Sequence, residues 1–206
     1  MIFDTPNLVF HPLTADRWPD LEKLFGRRGG CGGCWCMAWR LERRDWVRGK
    51  GESNKRAFQE IVTRGERPGV IAYIDGEPIG WCSVAPREVF AALARSRVLA
   101  PVDAMPVWSI SCLLVSKPYR RQGISAELIA AAVRFAAERG AKVVEAYPIV
   151  PYADNIPAPF AWTGLYAAYL KAGFVEVARR SKARPVMRQE CPAIGRRRIA
   201  RRSALP

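Results

Sequence analysis

The stretch best suited to chemistry is Arg120-Arg121-Gln122-Gly123-Ile124-Ser125. It lies between a strand-like and a helix-like segment, so its amides open a helix. A helix N-terminus leaves several N–H groups unpaired and carries a partial positive charge. Gly123 lets the backbone come close to a ligand, and the two arginines add full charges. Together these parts suit a phosphate or pyrophosphate. The other reading of the same residues is an ordinary turn with solvated arginines.

Two elements must hold that loop in place. Val107–Val115 is apolar, bounded by Pro106 and Pro118, and reads as a buried strand. After the loop, Ile124, Leu128, Ala131, Ala132, Phe135 and Ala136 recur at helical spacing as one apolar stripe, ending at Gly140. Lys142–Pro148 then reads as a strand parallel to the first, because strand–helix–strand order favours a crossover connection.

Arg120-x-x-Gly123-x-Ser125, preceded by Leu113-Leu114-Val115 and Tyr119, resembles the acetyl-CoA signature of the GNAT N-acetyltransferase superfamily. Ser125 stands where that family usually has Gly or Ala. Ile71–Val84 is similar to the family's central hairpin, and Tyr169-Leu-Lys-Ala-Gly-Phe174 to its closing helix. The resemblance implies an α/β GNAT-like fold, a mixed sheet of about seven strands flanked by helices, spanning residues 1–190. It also implies acetyl-CoA as co-substrate. The backbone of Leu113, Leu114 and Val115 would hold the pantetheine arm. Arg120, Arg121, Gln122, Gly123, Ile124 and Ser125 would hold the pyrophosphate.

For the transfer itself, Tyr169 occupies the position of the family's thiolate-protonating tyrosine, and a phenol with a pKa of about 10 suits that donation. Where the family often carries Asn, seven residues earlier, this chain has Trp162. The strand 107–115 holds no acid, so Glu145 on the next strand is the best carboxylate for a general base; an ion pair is its alternative role. The segment after the first helix forms part of the family's acceptor wall. That places Trp35, Cys36, Met37 and Trp39 as acceptor-binding candidates, with Cys34 beside them. Packing of Trp35 and Trp39 into the core is the alternative.

The rest of the chain supplies the frame. Leu8–Leu13 is a first strand, and Thr14 caps a helix carrying Trp18, Leu21 and Phe25. Helical pieces follow over 41–64, broken near Gly49-Lys-Gly51, with Ser53 capping the second. Asp75-Gly76 joins two strands as a hairpin turn. A short helix covers 89–95, and Pro148–Pro159 is too proline-rich for helix or inner strand. Phe160–Ala172 reads as a helix, and 174–179 and 183–189 as two final strands.

The 206 residues are half hydrophobic, enough for one core. No apolar run is long enough to span a membrane, and the start lacks a signal peptide's pattern, so a cytoplasmic protein is expected. Of the formal charge of +14, nine charges fall in residues 179–206, ending in the basic tail 191–206. That tail suggests a nucleic-acid contact, but no aromatic residue interleaves it, and a solvated terminus is favoured. Six cysteines include Cys31-Gly-Gly-Cys34-Trp-Cys36. Cysteines in a reducing compartment stay thiols. A structural zinc wants four ligands, and His11 is the sole histidine, so no metal is expected. The expectation is N-acetyl transfer to a small-molecule or peptide amine, with homodimerisation left open. The rival is a non-catalytic acyl-CoA sensor or nucleic-acid-binding protein on the same fold.

Overall fold

A computed structural model describes residues 7–151 and 157–193. The basic run 195–206, and with it the nucleic-acid question, lies outside the described residues, as does the centre of the proline-rich loop. The strands are β1 (Leu8–Pro12), β2 (Gly69–Ile74), β3 (Glu77–Pro86), β4 (Trp108–Val115), β5 (Val143–Ala146), β6 (Val175–Ala178) and β7 (Val186–Glu190). They form one sheet in the order β1-β2-β3-β4-β5-β7-β6. Only β4 and β5 run parallel; the other pairs are antiparallel.

Helices cover both faces. On one side α5 (Ile124–Ala137) buries Leu128, Ile129, Ala132, Val133 and Phe135 against Ala72, Cys82, Val84 and Ile110. Each large apolar side chain so buried contributes roughly 1.5–3 kcal/mol. On the other side α1 (Trp18–Phe25) and α3 (Glu52–Thr63) pack Trp18, Leu21, Phe25 and Phe58 onto Ile71, Tyr73 and Trp81. Two short helices, α2 (Arg43–Arg48) and α4 (Ala91–Ala94), lie in the connections, and α6 (Tyr166–Lys171) precedes β6. No helix among the described residues is long and apolar enough to cross a membrane.

The expected hairpin at Asp75-Gly76 forms with both residues at positive φ, 50° and 81°, the backbone that a two-residue turn needs to match strand twist. Three local expectations are corrected. Thr14 holds the N-cap position of a 3-10 turn, Ala15–Arg17, that leads into α1, but its hydroxyl makes no capping bond and instead accepts from Arg17 Nη1 at 3.1 Å. Ser53 lies inside α3, which starts at Glu52 after Gly51, whose φ of 87° ends the preceding turn. Residues 161–165 are not helical: Gly164, at φ 84°, delays α6 until Tyr166.

Two irregularities shape the centre of the sheet. Ser83 pairs with Cys112 while Val84 pairs with Ile110, so Ser111 is an extra residue that bulges β4. Bulges re-aim side chains and end regular pairing. The parallel pairing of β4 with β5 covers only Trp108–Ile110 against Val144–Ala146. Beyond it the two strands part, leaving a fork in the sheet.

Candidate active site

The fork is flanked at one end by the loop Arg120–Ser125. Arg121 and Gly123 both adopt positive φ, 62° and 84°. This turns the chain so that the amides of Arg121 through Ser125 find no acceptor among the described residues. Successive unpaired amides in such a turn form an anion-binding concavity. Arg120 Nε donates to the Val115 carbonyl at 2.8 Å, and Gln122 Nε2 to Pro118 at 2.8 Å, which lock the loop to the end of β4. Lys171, at the end of α6, was not foreseen. Its Nζ lies 3.5 Å from where a Gly123 Cβ would sit, adding a third cation to the loop. Nothing local in the sequence marks it, since the contact joins segments far apart in the chain.

Residues 162–164 fill the fork. Leu113 N–H donates to the Trp162 carbonyl at 2.7 Å, and Ile149 N–H to the Gly164 carbonyl at 2.9 Å. Tyr169 Oη donates to the Thr163 carbonyl at 2.9 Å, and Arg184 to Thr163 Oγ1 at 3.0 Å. Tyr169 is fully buried beside Gly164. Burial, and then the nearby Cys82 and Cys112, push its phenol well above the ordinary tyrosine value. It therefore stays protonated over the whole neutral range.

Next to Leu113 is a small cavity of about 10 Å³, lined by Cys34, Cys36, Trp39, Ser111, Cys112 and Trp162. This is room for about one water. Trp39 meets Tyr147 and Trp162 edge-on, at 5.4 and 5.2 Å between ring centres. Ser111 Oγ donates to Ser83 Oγ at 3.0 Å. A larger concavity of about 470 Å³ near Glu22, Trp35 and Lys55 shares no lining residue with the fork.

The acceptor-wall candidates divide. Cys36 and Trp39 line the fork cavity, Cys36 from within the α1/α3 core. Trp35 and Met37 do not: both are buried in the α1/α3 core, with Trp35 stacked on Trp18 and tilted against Phe25. The backbone explains the split. Trp35 and Cys36 both hold positive φ, 45° and 58°, so adjacent side chains depart in directions that neither strand nor helix spacing describes. Such positions cost bulky residues about 1–3 kcal/mol each.

Glu145 does not offer a free carboxylate. It is fully buried between Arg87 Nη1 at 2.7 Å and Arg188 Nε at 2.8 Å, and Tyr147 Oη donates to it at 2.6 Å. Ser109 and Tyr147 are linked at 2.9 Å, and Arg188 also grips Asp103 through two bonds of 2.6 and 3.1 Å. The ion-pair role is thus the one its geometry fits. Among the described residues no group of three or more His, Cys, Asp and Glu is arranged to hold a metal.

The profile of the acetyltransferase (GNAT) family matches residues 35–174. The chain belongs to the GNAT acetyltransferase family. The matched span holds the bulged β4, the loop of Arg120–Ser125, α5, the fork and α6. Among curated proteins none matches the chain. Solved GNAT structures share its fold at low identity. The PaiA N-acetyltransferase of Thermoplasma acidophilum, in complex with coenzyme A, is 13% identical with a TM-score of 0.52, over 89% of this chain and 99% of that one. A putative GNAT acetyltransferase of Desulfovibrio desulfuricans is 14% identical with a TM-score of 0.52, over 90% and 99%. The NatC complex bound to Gag peptide and coenzyme A gives 13% and 0.51, over 89% and 98%.

Proposed function

We propose that this GNAT protein transfers an acetyl group from acetyl-CoA to a neutral amine at the fork between β4 and β5. The observation that carries the reading is the Leu113 N–H, which leaves the sheet ladder and takes a carbonyl from outside it. A thioester carbonyl arriving there would meet the same donor, and a main-chain N–H aimed at a developing oxyanion is a strong source of rate. The unpaired amides of Arg121–Ser125, with Arg120, Arg121 and Lys171 near them, suit the coenzyme's pyrophosphate. The backbone of Leu113, Leu114 and Val115 runs between the two sites and suits the pantetheine arm. Coenzyme A in the complexes of the PaiA and NatC relatives supports the same donor here.

Tyr169 is the acid in this scheme: its high phenol pKa keeps the proton available for the departing coenzyme thiolate. Glu145 anchors the β5 wall in place of acting as a base, because both of its oxygens are engaged by arginine. Among the described residues no carboxylate lines the fork cavity, which suits an amine that enters without its proton. Trp39 and Trp162 make the acceptor side partly apolar, which suits an amine carried on an apolar or aromatic body, free or at a peptide end.

Calorimetric titration of acetyl-CoA into the purified chain tests the donor site, with the double variant Arg120→Ala, Gly123→Glu as control. Binding by the wild type that is lost in the variant supports the assignment. Absence of binding by the wild type overturns it. Release of coenzyme A thiol across a panel of amines then identifies the acceptor class.

A further inference from the structure

The transfer scheme leaves one cluster unused: the thiols that line the fork cavity. We infer that Cys36 is an acyl-accepting nucleophile, whose sulfur takes the acetyl group from the coenzyme thioester and holds it until the amine arrives. This rests on the reading of the fork as an acetyl-CoA site.

Geometry carries the inference. Cys36 and Cys112 line the same cavity, and Cys112 is the chain neighbour of Leu113, whose N–H would hold the thioester carbonyl. The Cys36 sulfur has a built set of donors. Trp81 Nε1–H donates to it at 3.1 Å, and the Cys112 thiol bonds to it. The Arg40 guanidinium stands near, with its Nε and Nη2 buried and lacking any partner among the described residues. Arg40 is held there against the Phe58 and Phe90 rings, with its central carbon 5.9 and 5.0 Å from their centres. Donors of this kind stabilise a thiolate, the reactive form of cysteine.

The neighbouring thiols differ from Cys36 in the direction of their shifts. Burial raises Cys36, but the bonds from Cys112 and Trp81 and the charge of Arg40 outweigh it and bring the thiol below the ordinary range. Burial and Cys36 push Cys34 up to about 11, and Cys82 is also raised by burial. Cys112 is held high by its bond to Cys36. Of these four thiols Cys36 alone is shifted toward the thiolate, and the other three are shifted away from it.

The step balances. The Cys36 thiolate adds to the thioester carbonyl carbon while the carbonyl oxygen rests on the Leu113 N–H. The bond from carbon to the coenzyme sulfur breaks, and that sulfur leaves with the Tyr169 proton. The product is a second thioester, so little free energy is spent. A neutral amine then attacks the acyl carbon and the bond to Cys36 breaks. The thiolate returns to its donors, and the surplus amine proton restores Tyr169.

The test is exchange of labelled coenzyme A into acetyl-CoA, catalysed by the full chain with no amine present. Exchange by the wild type, lost in Cys36→Ser and kept in Cys31→Ser, is the expected result. Cys112→Ala should move the half-maximal pH of exchange upward, since it removes a donor to the thiolate. Acid-quenched wild type should carry a hydroxylamine-labile acetyl group on Cys36. Calorimetry runs beside these. If acetyl-CoA binds and no label exchanges, or if Cys36→Ser binds and exchanges at the wild-type rate, the nucleophile assignment is overturned while the coenzyme site stands. If acetyl-CoA does not bind the wild type, the coenzyme site itself fails and takes this inference with it. An acetyl group found on Cys31 or Cys34 instead also overturns it.

Discussion

The amide of Leu113 and the carbonyl of Trp162 meet at 2.7 Å across the fork in the sheet. The chain thus supplies its own carbonyl to the donor that the proposed reaction needs. Trp162 through Gly164 must yield this place for a thioester to enter, and the same residues hold Tyr169 through the Thr163 carbonyl.

Gly164 is the weak point of that segment. A Cβ there would lie 2.7 Å from Tyr169 Cε2, on a backbone at φ 84°. Gly164→Ala should destabilise the fold by about 1–3 kcal/mol. Urea unfolding measures the loss. Because the displaced segment no longer competes for Leu113, acetyl-CoA affinity should fall less than stability does, or rise.

Tyr169→Phe keeps the buried ring and removes the proton. Turnover should fall by about 10²-fold or more, with acetyl-CoA affinity nearly unchanged in calorimetry. The pH profile gives a second check. An acid is active while protonated, and the Tyr169 phenol is raised by burial. No alkaline loss assignable to it should occur up to the ordinary tyrosine value of about 10.

Lys171→Ala should weaken coenzyme binding several-fold and reduce its dependence on salt. Lys171 reaches the loop at Gly123 from a different element, so the fold should keep its stability within roughly 0.5 kcal/mol. Ser125→Glu places a like charge among the loop amides, and should abolish binding where Lys171→Ala only weakens it.

Glu145→Gln tests an anchor against a base. Removing one partner of a buried ion pair costs about 3–5 kcal/mol, so the variant should unfold at much lower urea. An anchor leaves the per-molecule rate of the folded fraction within a few-fold of wild type; a base would lower it far more. Asp103 adds a small pH effect. The Arg188 hydrogen bonds hold its carboxyl below the usual range. Its stabilisation is complete above about pH 4 and disappears as pH falls through the lower folded value.

The loop Arg120–Ser125 was legible because everything it needs is local: a strand, two arginines, a glycine and a helix start. Asp75-Gly76 was legible for the same reason. The fork was not. Trp162 reads as a helical residue beside Tyr166 and Tyr169 until Gly164 turns the chain. Glu145 gives no sign that its two arginines stand 58 residues before it and 43 after it. Trp35 and Cys36 both pack in the α1/α3 core and Cys36 also lines the cavity, on a left-handed backbone that side-chain type does not encode. Cys112 stands 76 residues after Cys36 and joins it at one cavity only through the fold.

The position of β7 sets an order on how this protein can be made. β7 follows β6 in the chain but sits inside it, between β5 and β6. When the ribosome has released β5, Glu145 has its upstream arginine but not Arg188, and the sheet ends on a strand with an open ladder. The second half of the sheet can only close after residue 190 has emerged, by insertion of the late strand between two earlier ones. A nascent chain stalled before β7 therefore exposes a half-paired acid and an unpaired edge, the kind of surface that recruits chaperones or other chains.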